Sequence, residues 1–363
     1  MKRFLTVVAF CFAIVLLGFA PCSGVCHATA PSTDFSQFFK NLFGDEVCNK
    51  IYKPKEVFVS GSPLGFSLLG DGVVVICVGS VESAGGVVVP CEGQNIREGD
   101  VLLSIDGVRI ESAKTIEEVL NADKDSLSFE LVFLRDKKRF VKHVLPAVDV
   151  HTNKKRLGLW IRDNTCGVGT LTFVTEDGRF GALGHPVCDV DTGTKMPTRD
   201  GSAFLCNIIG VNKGEKGLAG ELKGLFVRTA NPIGQVFKNN EFGVYGKINQ
   251  SGMESVSLKK VEVAKRSEVR PGRAQILSTV YGNEPETFDI EIVKTTNQSS
   301  SKSKSMVIRI VDDRLLDKTG GIVQGMSGSP ILQDGKFVGA VTHVFVSDPT
   351  KGFGVYADWM IEQ

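Results

Sequence analysis

Residues 320–341 read Gly-Gly-Ile-Val-Gln-Gly-Met-Ser-Gly-Ser-Pro-Ile-Leu-Gln-Asp-Gly-Lys-Phe-Val-Gly-Ala-Val. The middle of this stretch, 325–330, is a small-residue turn that presents Ser327 between glycines. Residues 320–323 lead into it, and two short strands around an Asp334-Gly335 turn lead out. A serine hydroxyl is a weak nucleophile at neutral pH, so it needs a base to take its proton and donors to hold the oxyanion formed on attack. Glycines supply the donors: with almost no side chains in the way, the backbone N–H groups of Gly325 and Ser327 can converge on one substrate oxygen. The competing reading is an ordinary Gly, Ser and Pro turn between two strands.

A base is sought among five histidines. His27 falls in the leader, while His143 and His151 lie in the last strand of an upstream unit and in the linker after it, where structural or solvated roles are simpler. His343 follows the turn in the strand 340–346 and ranks second. His185, framed by Gly184 and Pro186 just past the strand around 180–183, ranks first, because a strand end exposes a reactive side chain. A third group must fix the imidazole tautomer. Asp189, Asp191, Asp312, Asp313 and Asp317 are available. Asp189 and Asp191 read as hydrated turn carboxylates, and Asp312, ending the strand 306–311 that leads toward the turn, is preferred.

With 363 residues, 42% hydrophobic and 23% charged, the chain can bury cores for two domains after a short leader. Forty glycines, many in apolar-glycine alternations, point to a mostly β body. A net charge of +1 without a long basic run argues against a nucleic-acid partner. Lys2 and Arg3 precede an apolar run over 4–20, and Ala28-Thr29-Ala30 offers a small-x-small cleavage site, so residues 1–30 are expected to be a signal peptide or a retained membrane anchor. Six cysteines lie beyond the leader, and both disulfides and buried free thiols remain open for them. No Cys-x-x-Cys with partnering histidines occurs, so no metal or other cofactor is expected.

Residues 31–53 read as a linker carrying Phe35, Phe38, Phe39, Leu42 and Phe43 at helical spacing. The stretch 54–147 resembles a PDZ domain, most specifically from Gly99-Asp100 to Asp106-Gly107, with strands near 73–78 and 85–89, a helix over 115–122 and a final strand over 127–134. In that reading Leu64, Gly65 and Phe66 form the Gly-Leu-Gly-Phe-like loop that grips a peptide ligand. Pro63 stands in place of its first glycine and removes one donor. A second, all-β unit is expected over 151–363, with a polar low-complexity loop at 295–305.

The runs 320–330 and 339–346, the stretch 180–185, and the order of leader, PDZ domain and peptidase domain closely resemble the SpoIVB peptidases of endospore-forming bacteria, over essentially the whole chain. The resemblance implies a mainly β fold, a PDZ domain (α+β) followed by a trypsin-like all-β double-barrel serine peptidase domain. It implies Ser327 as nucleophile, His185 as base and Asp312 as orienting acid, with a one-residue ambiguity toward Asp313. It also implies export across the forespore membrane, self-cleavage in trans, and cutting of a membrane-embedded regulator of an intramembrane metalloprotease, which lets a late sigma factor be processed. Trypsin-like turns read Gly-Asp-Ser-Gly-Gly-Pro and pair that acid with a new amino terminus; Met326 excludes such an ion pair here. Two other expectations stand beside this one: an inactive PDZ adaptor, and an HtrA-like quality-control protease.

Overall fold

The structure, a computed structural model, describes residues 55–363 apart from 123–125, 197, 199, 227–230 and 299. The expected leader and the Phe-rich linker lie outside the described residues. Two six-stranded closed barrels dominate. One is formed by Gly272–Ser278, Glu286–Thr295, Met306–Ile310, Asp348–Tyr356, Lys336–Phe345 and Pro330–Gln333. Its strands alternate as half-buried strands must: Phe288, Ile290 and Ile292 point inward while Thr287, Asp289 and Glu291 do not, and Met306, Ile308 and Ile310 repeat the pattern on the neighbour. The Asp334-Gly335 turn has positive φ at both residues, 52° and 79°, as a two-residue hairpin of this hand requires.

The other barrel closes through Pro63–Val78, Leu159–Val174, Arg179–Ala182, Gly243–Ile248, Gly234–Asn240 and Asp200–Leu205. Its core holds Leu64, Phe66, Leu68, Leu171, Phe180 and Val244. Two of its strands are sixteen residues long, and they pair antiparallel from Pro63 opposite Thr170 to Val78 opposite Leu159, with two register shifts on the way. One end of this ribbon belongs to the barrel. The other end, 73–78 with 159–162, enters a third body with its own core of Val73, Val75, Leu102, Ile105, Leu120 and Phe129. Strands Val101–Ile105, Phe129–Arg135 and Lys138–Val144 and the helix Ala113–Ala122 complete it.

The PDZ-like unit is therefore set between Pro63–Val78 and Leu159–Val174, two strands of the barrel that comes first along the chain, and does not precede the barrels as 54–147 followed by 151–363 implied. The strands Glu56–Val59 and the first half of Pro63–Val78 are part of the barrel framework. This corrects the reading of Leu64, Gly65 and Phe66 as a ligand loop. They lie at the start of the strand Pro63–Val78, paired on one side with Gly169, Val168 and Gly167 and on the other with Leu205, Phe204 and Ala203. With both edges taken and the Leu64 and Phe66 side chains buried, this segment offers a peptide no free main-chain donors.

Among the described residues, no helix is long and apolar enough to cross a membrane. Cys77, Cys91, Cys166, Cys188 and Cys206 are free thiols. Burial pushes Cys91 up to about 12 and Cys206 up to about 11, which keeps both protonated and unreactive.

Candidate active site

Ser327 stands where the barrels meet, on the turn between Asp313–Thr319, a short helix, and the strand Pro330–Gln333. The peptide groups of this turn can be accounted for one by one. The Gln324 carbonyl accepts from Leu222 N, the Gly325 carbonyl from Thr170 Oγ1, the Met326 carbonyl from Ser329 N and the Ser327 carbonyl from Thr170 N. The N–H groups of Met326 and Gly328 are taken by the carbonyls of Val323 and Val341. Among the described residues, those of Gly325 and Ser327 have no acceptor. The carbonyl across each of these two peptide planes is itself bonded, Gln324 O to Leu222 N and Met326 O to Ser329 N. The result is two unspent donors flanking one hydroxyl.

The close approach of the barrels dictates the second glycine of the turn. Gly328 has φ +95°, and a Cβ there would lie 2.3 Å from the Thr170 carbonyl oxygen and 2.5 Å from Leu183 N. Thr172 Oγ1 caps the Gly328 carbonyl at 2.7 Å. The hydroxyl of Ser327 donates to the Thr342 carbonyl at 2.9 Å.

His185 comes from the first barrel. The strand Arg179–Ala182 ends in two left-handed residues, Leu183 at φ 71° and Gly184 at φ 70°. A left-handed leucine is strained by one or more kcal/mol. It is held by its N–H to the Thr170 carbonyl and by packing over Gly169. The reversal brings Gly184 against Thr342, the residue whose carbonyl Ser327 contacts. After the histidine, Asn239 clamps the chain through Val187 N, Val187 O and Met196 O.

His185 Nδ1 lies 2.8 Å from the Pro186 carbonyl oxygen. A carbonyl can only accept, so Nδ1 carries the proton and Nε2 is left with a lone pair, the tautomer a general base needs. Burial pulls the pKa of His185 below the ordinary histidine value, with the Pro186 hydrogen bond acting the other way. His343 packs beside it with ring centroids 5.1 Å apart, and its pKa is lowered to about 4, first by desolvation and then by the His185 and Lys304 charges. Both imidazoles are neutral at pH 7. The acid limb of peptidase activity should therefore fall below pH 6.5, where an unperturbed histidine would place it. The sign for stability is the same. Below about pH 6.5 the unfolded chain takes up protons these two rings refuse in the fold, so the melting temperature should drop between pH 7.5 and 5. An unchanged melting temperature would contradict it.

Asp312 is not brought to His185, which corrects its reading as the orienting acid. It is the N-cap of the helix Asp313–Thr319, accepting from Arg314 N at 3.0 Å, from the Arg314 guanidinium at 2.8 and 3.1 Å, and from Asp289 N at 3.1 Å. The Arg314 hydrogen bond is the largest cause that lowers its pKa to about 2. Asp312→Asn should thus cost about 1 kcal/mol as a weakened cap and ion pair, felt above pH 4 where the wild-type carboxylate is charged, with peptidase activity within a few-fold. A loss of activity as deep as that of a nucleophile variant, at unchanged stability, would contradict this. Asp189 is buried rather than hydrated: Arg162 bridges it to Asp191 at 2.5 Å each. Glu82 holds His151 at 2.9 Å on the surface of the inserted unit, and His143 lies on a strand opposite Glu130.

Sequence reading missed three groups at this site: Thr170, Thr172 and the Pro186 carbonyl. It also missed a groove of about 510 Å³ in the inserted unit. That groove lies between the helix Ala113–Ala122, through Ile116 and Leu120, and the edge of the strand at Leu159 and Ile161, which pairs on its other side only with 74–78. Leu157-Gly158-Leu159, with Gly158 at φ 65°, heads the groove. An apolar-Gly-apolar triplet running into an alternating strand was the available signal.

A match to the SpoIVB peptidase S55 family covers residues 153–361. No curated protein matches the chain. Among solved structures, the PDZ domain of an SdrC-like protein from Listeria monocytogenes is 20% identical, with 26% of this chain and 90% of that one covered and a TM-score of 0.21. The HtrA-type protease AlgW with a decapeptide is 13% identical, with 58% of this chain and 52% of that one covered and a TM-score of 0.32. A variant of that protease, also with a decapeptide, is 10% identical over 84% of this chain and 62% of that one, with a TM-score of 0.31. This chain spans about half of the length of the AlgW chain.

Proposed function

The chain belongs to the SpoIVB peptidase S55 family and is a serine endopeptidase, and from that premise we propose that Ser327 is its nucleophile, His185 its base, and the N–H groups of Gly325 and Ser327 its oxyanion hole. The observation that carries this reading is the pair of unspent donors beside one serine, with a correctly tautomeric imidazole delivered from the opposite barrel. On substrate binding the Ser327 hydroxyl leaves the Thr342 carbonyl and turns to His185 Nε2. Its oxygen attacks the scissile carbonyl as its proton passes to Nε2, and the carbonyl electron pair becomes the oxyanion held by the two N–H groups. The imidazolium then protonates the leaving amine, and water resolves the acyl-enzyme by the reverse proton path. The Pro186 carbonyl orients the ring in place of a carboxylate. It stabilises the imidazolium less than a charged partner does.

The groove between Ala113–Ala122 and Leu159–Ile161 takes an extended peptide by strand addition, giving the inserted unit a recognition role. The family and the leader-like start support the finer reading: an exported enzyme, anchored or released, that processes itself in trans and cuts a membrane-embedded regulator in signalling between forespore and mother cell. Amino-terminal sequencing of the exported protein tests this. Wild type should carry a new terminus that Ser327→Ala lacks; the same terminus in both would assign the cut to another protease.

A further inference from the structure

Four carbonyls of the nucleophile turn accept hydrogen bonds, and two of these bonds come from a single residue of the opposite barrel. Thr170 Oγ1 donates to the Gly325 carbonyl at 2.8 Å, and Thr170 N donates to the Ser327 carbonyl at 3.1 Å. The third polar group of Thr170, its own carbonyl, accepts from Leu183 N at 3.3 Å, two residues before His185. Every hydrogen-bonding group of this buried residue thus serves the site, two toward the nucleophile turn and one toward the strand end that carries the base. No other described residue bonds to both loops.

We infer that Thr170 is the positioning residue of the oxyanion hole, setting the angle between its two donors through the side-chain hydroxyl. The donors belong to the peptides 324–325 and 326–327, and the peptide between them, 325–326, is the one whose carbonyl the hydroxyl holds. Gly325 sits at φ +96° with no side chain to resist rotation, so that plane is oriented by its partners alone. Met326 N holds one side of it, at 3.1 Å from the Val323 carbonyl, and Thr170 Oγ1 holds the other. Without the hydroxyl, the Gly325 carbonyl becomes a buried acceptor lacking a partner, and rotating the plane toward solvent is the way to satisfy it. Rotation swings the two N–H vectors off a common oxygen. The main-chain bonds of Thr170 persist in any substitution, so the hydroxyl can be tested separately from the barrel contact.

The inference rests on the assignment of Ser327 and its two donors, and the test separates the two. A fluorophosphonate probe places its phosphoryl oxygen in the oxyanion hole as the serine attacks. Its maximal inactivation rate therefore reads the hole, while its half-saturating concentration reads binding. For the full-length Thr170→Val protein, nearly isosteric, the maximal rate should fall on the order of 10-fold to 100-fold, short of the 10²–10³ reported by outright removal of a donor. The half-saturating concentration should stay within about twofold and the acid limb of the pH profile should not move, since the base is untouched. Thr170→Ser, which restores the donor, should recover the wild-type rate within a few-fold, and Thr170→Cys, a weak donor, should fall between and serves if the valine protein does not fold. A wild-type maximal rate in Thr170→Val or Thr170→Cys, or a loss that Thr170→Ser does not reverse, would overturn the inference while leaving Ser327 labelled. If wild-type protein is not labelled at Ser327, the nucleophile assignment fails and the inference falls with it.

Discussion

Ser327→Ala and His185→Ala are each expected to lower peptide-bond hydrolysis on the order of 10⁶-fold, with the double variant little worse than either. On the proposed assignment the nucleophile and base act as a unit, so removing one strands the other, and only the oxyanion donors and substrate binding remain to give residual rate. Neither side chain carries much of the fold. Ser327 is half-buried and bonded to one carbonyl, and His185 makes one hydrogen bond to its own neighbour. Far-ultraviolet circular dichroism and the melting temperature should stay near wild type at pH 7.5, and turnover of a peptide substrate checks the rate. Hydrolysis within 100-fold of wild type in either single variant would remove that residue from the chemistry.

Gly328→Ala should damage both stability and activity. A methyl group there meets the Thr170 carbonyl oxygen at 2.3 Å and the Leu183 backbone at 2.5 and 2.9 Å, all of them main-chain atoms that cannot swing aside. The backbone at φ +95° adds a penalty of its own for any L side chain. Together these should destabilise the protein by about 3 kcal/mol. Relief comes only by parting the barrels at the seam that aligns His185 with Ser327, and a displacement near 1 Å there costs about 100-fold in rate. Chemical denaturation and turnover measured on the same preparation check the two effects. By contrast, Gly335 has open space around its missing Cβ, and Gly335→Ala should leave turnover unchanged at a stability cost of about 1 kcal/mol from its φ alone.

The parts of this molecule that were legible in the sequence are those written in contiguous residues. The turn 325–330, the Asp334-Gly335 hairpin and the helix at Ala113–Ala122 are each specified by local chemistry: glycines at positive φ, a two-residue turn, and Ile116, Val119 and Leu120 on one face. The barrel closure is not local. Pro63 pairs with Thr170 and Val78 with Leu159 across an entire inserted unit, and no periodicity reports a partner that far away. That is why Leu64-Gly65-Phe66 looked like a ligand loop. Its Leu-Gly-Phe content fits such a loop, while its burial on both edges is a property of strands found elsewhere in the chain.

The acid was misread for a different reason, since its signal was present. Asp312 before the helix and Gly320 after it, at φ 72°, form the cap pair that brackets Asp313–Thr319. A carboxylate already committed to the capping N–H of Arg314, the N–H of Asp289 and the Arg314 guanidinium has little left to offer an imidazole. In the proposed mechanism the role expected of it passes to the Pro186 carbonyl, which lies 2.8 Å from His185 Nδ1 and which no side-chain pattern could have announced.

The most direct test of the two-barrel site is the position of the covalent adduct formed when the full-length protein reacts with a fluorophosphonate, read by mass mapping of its peptides. The account predicts one adduct, on Ser327, and a rate in His185→Ala too slow to detect. An adduct on another serine, or undiminished labelling of Ser327 in His185→Ala, would contradict it.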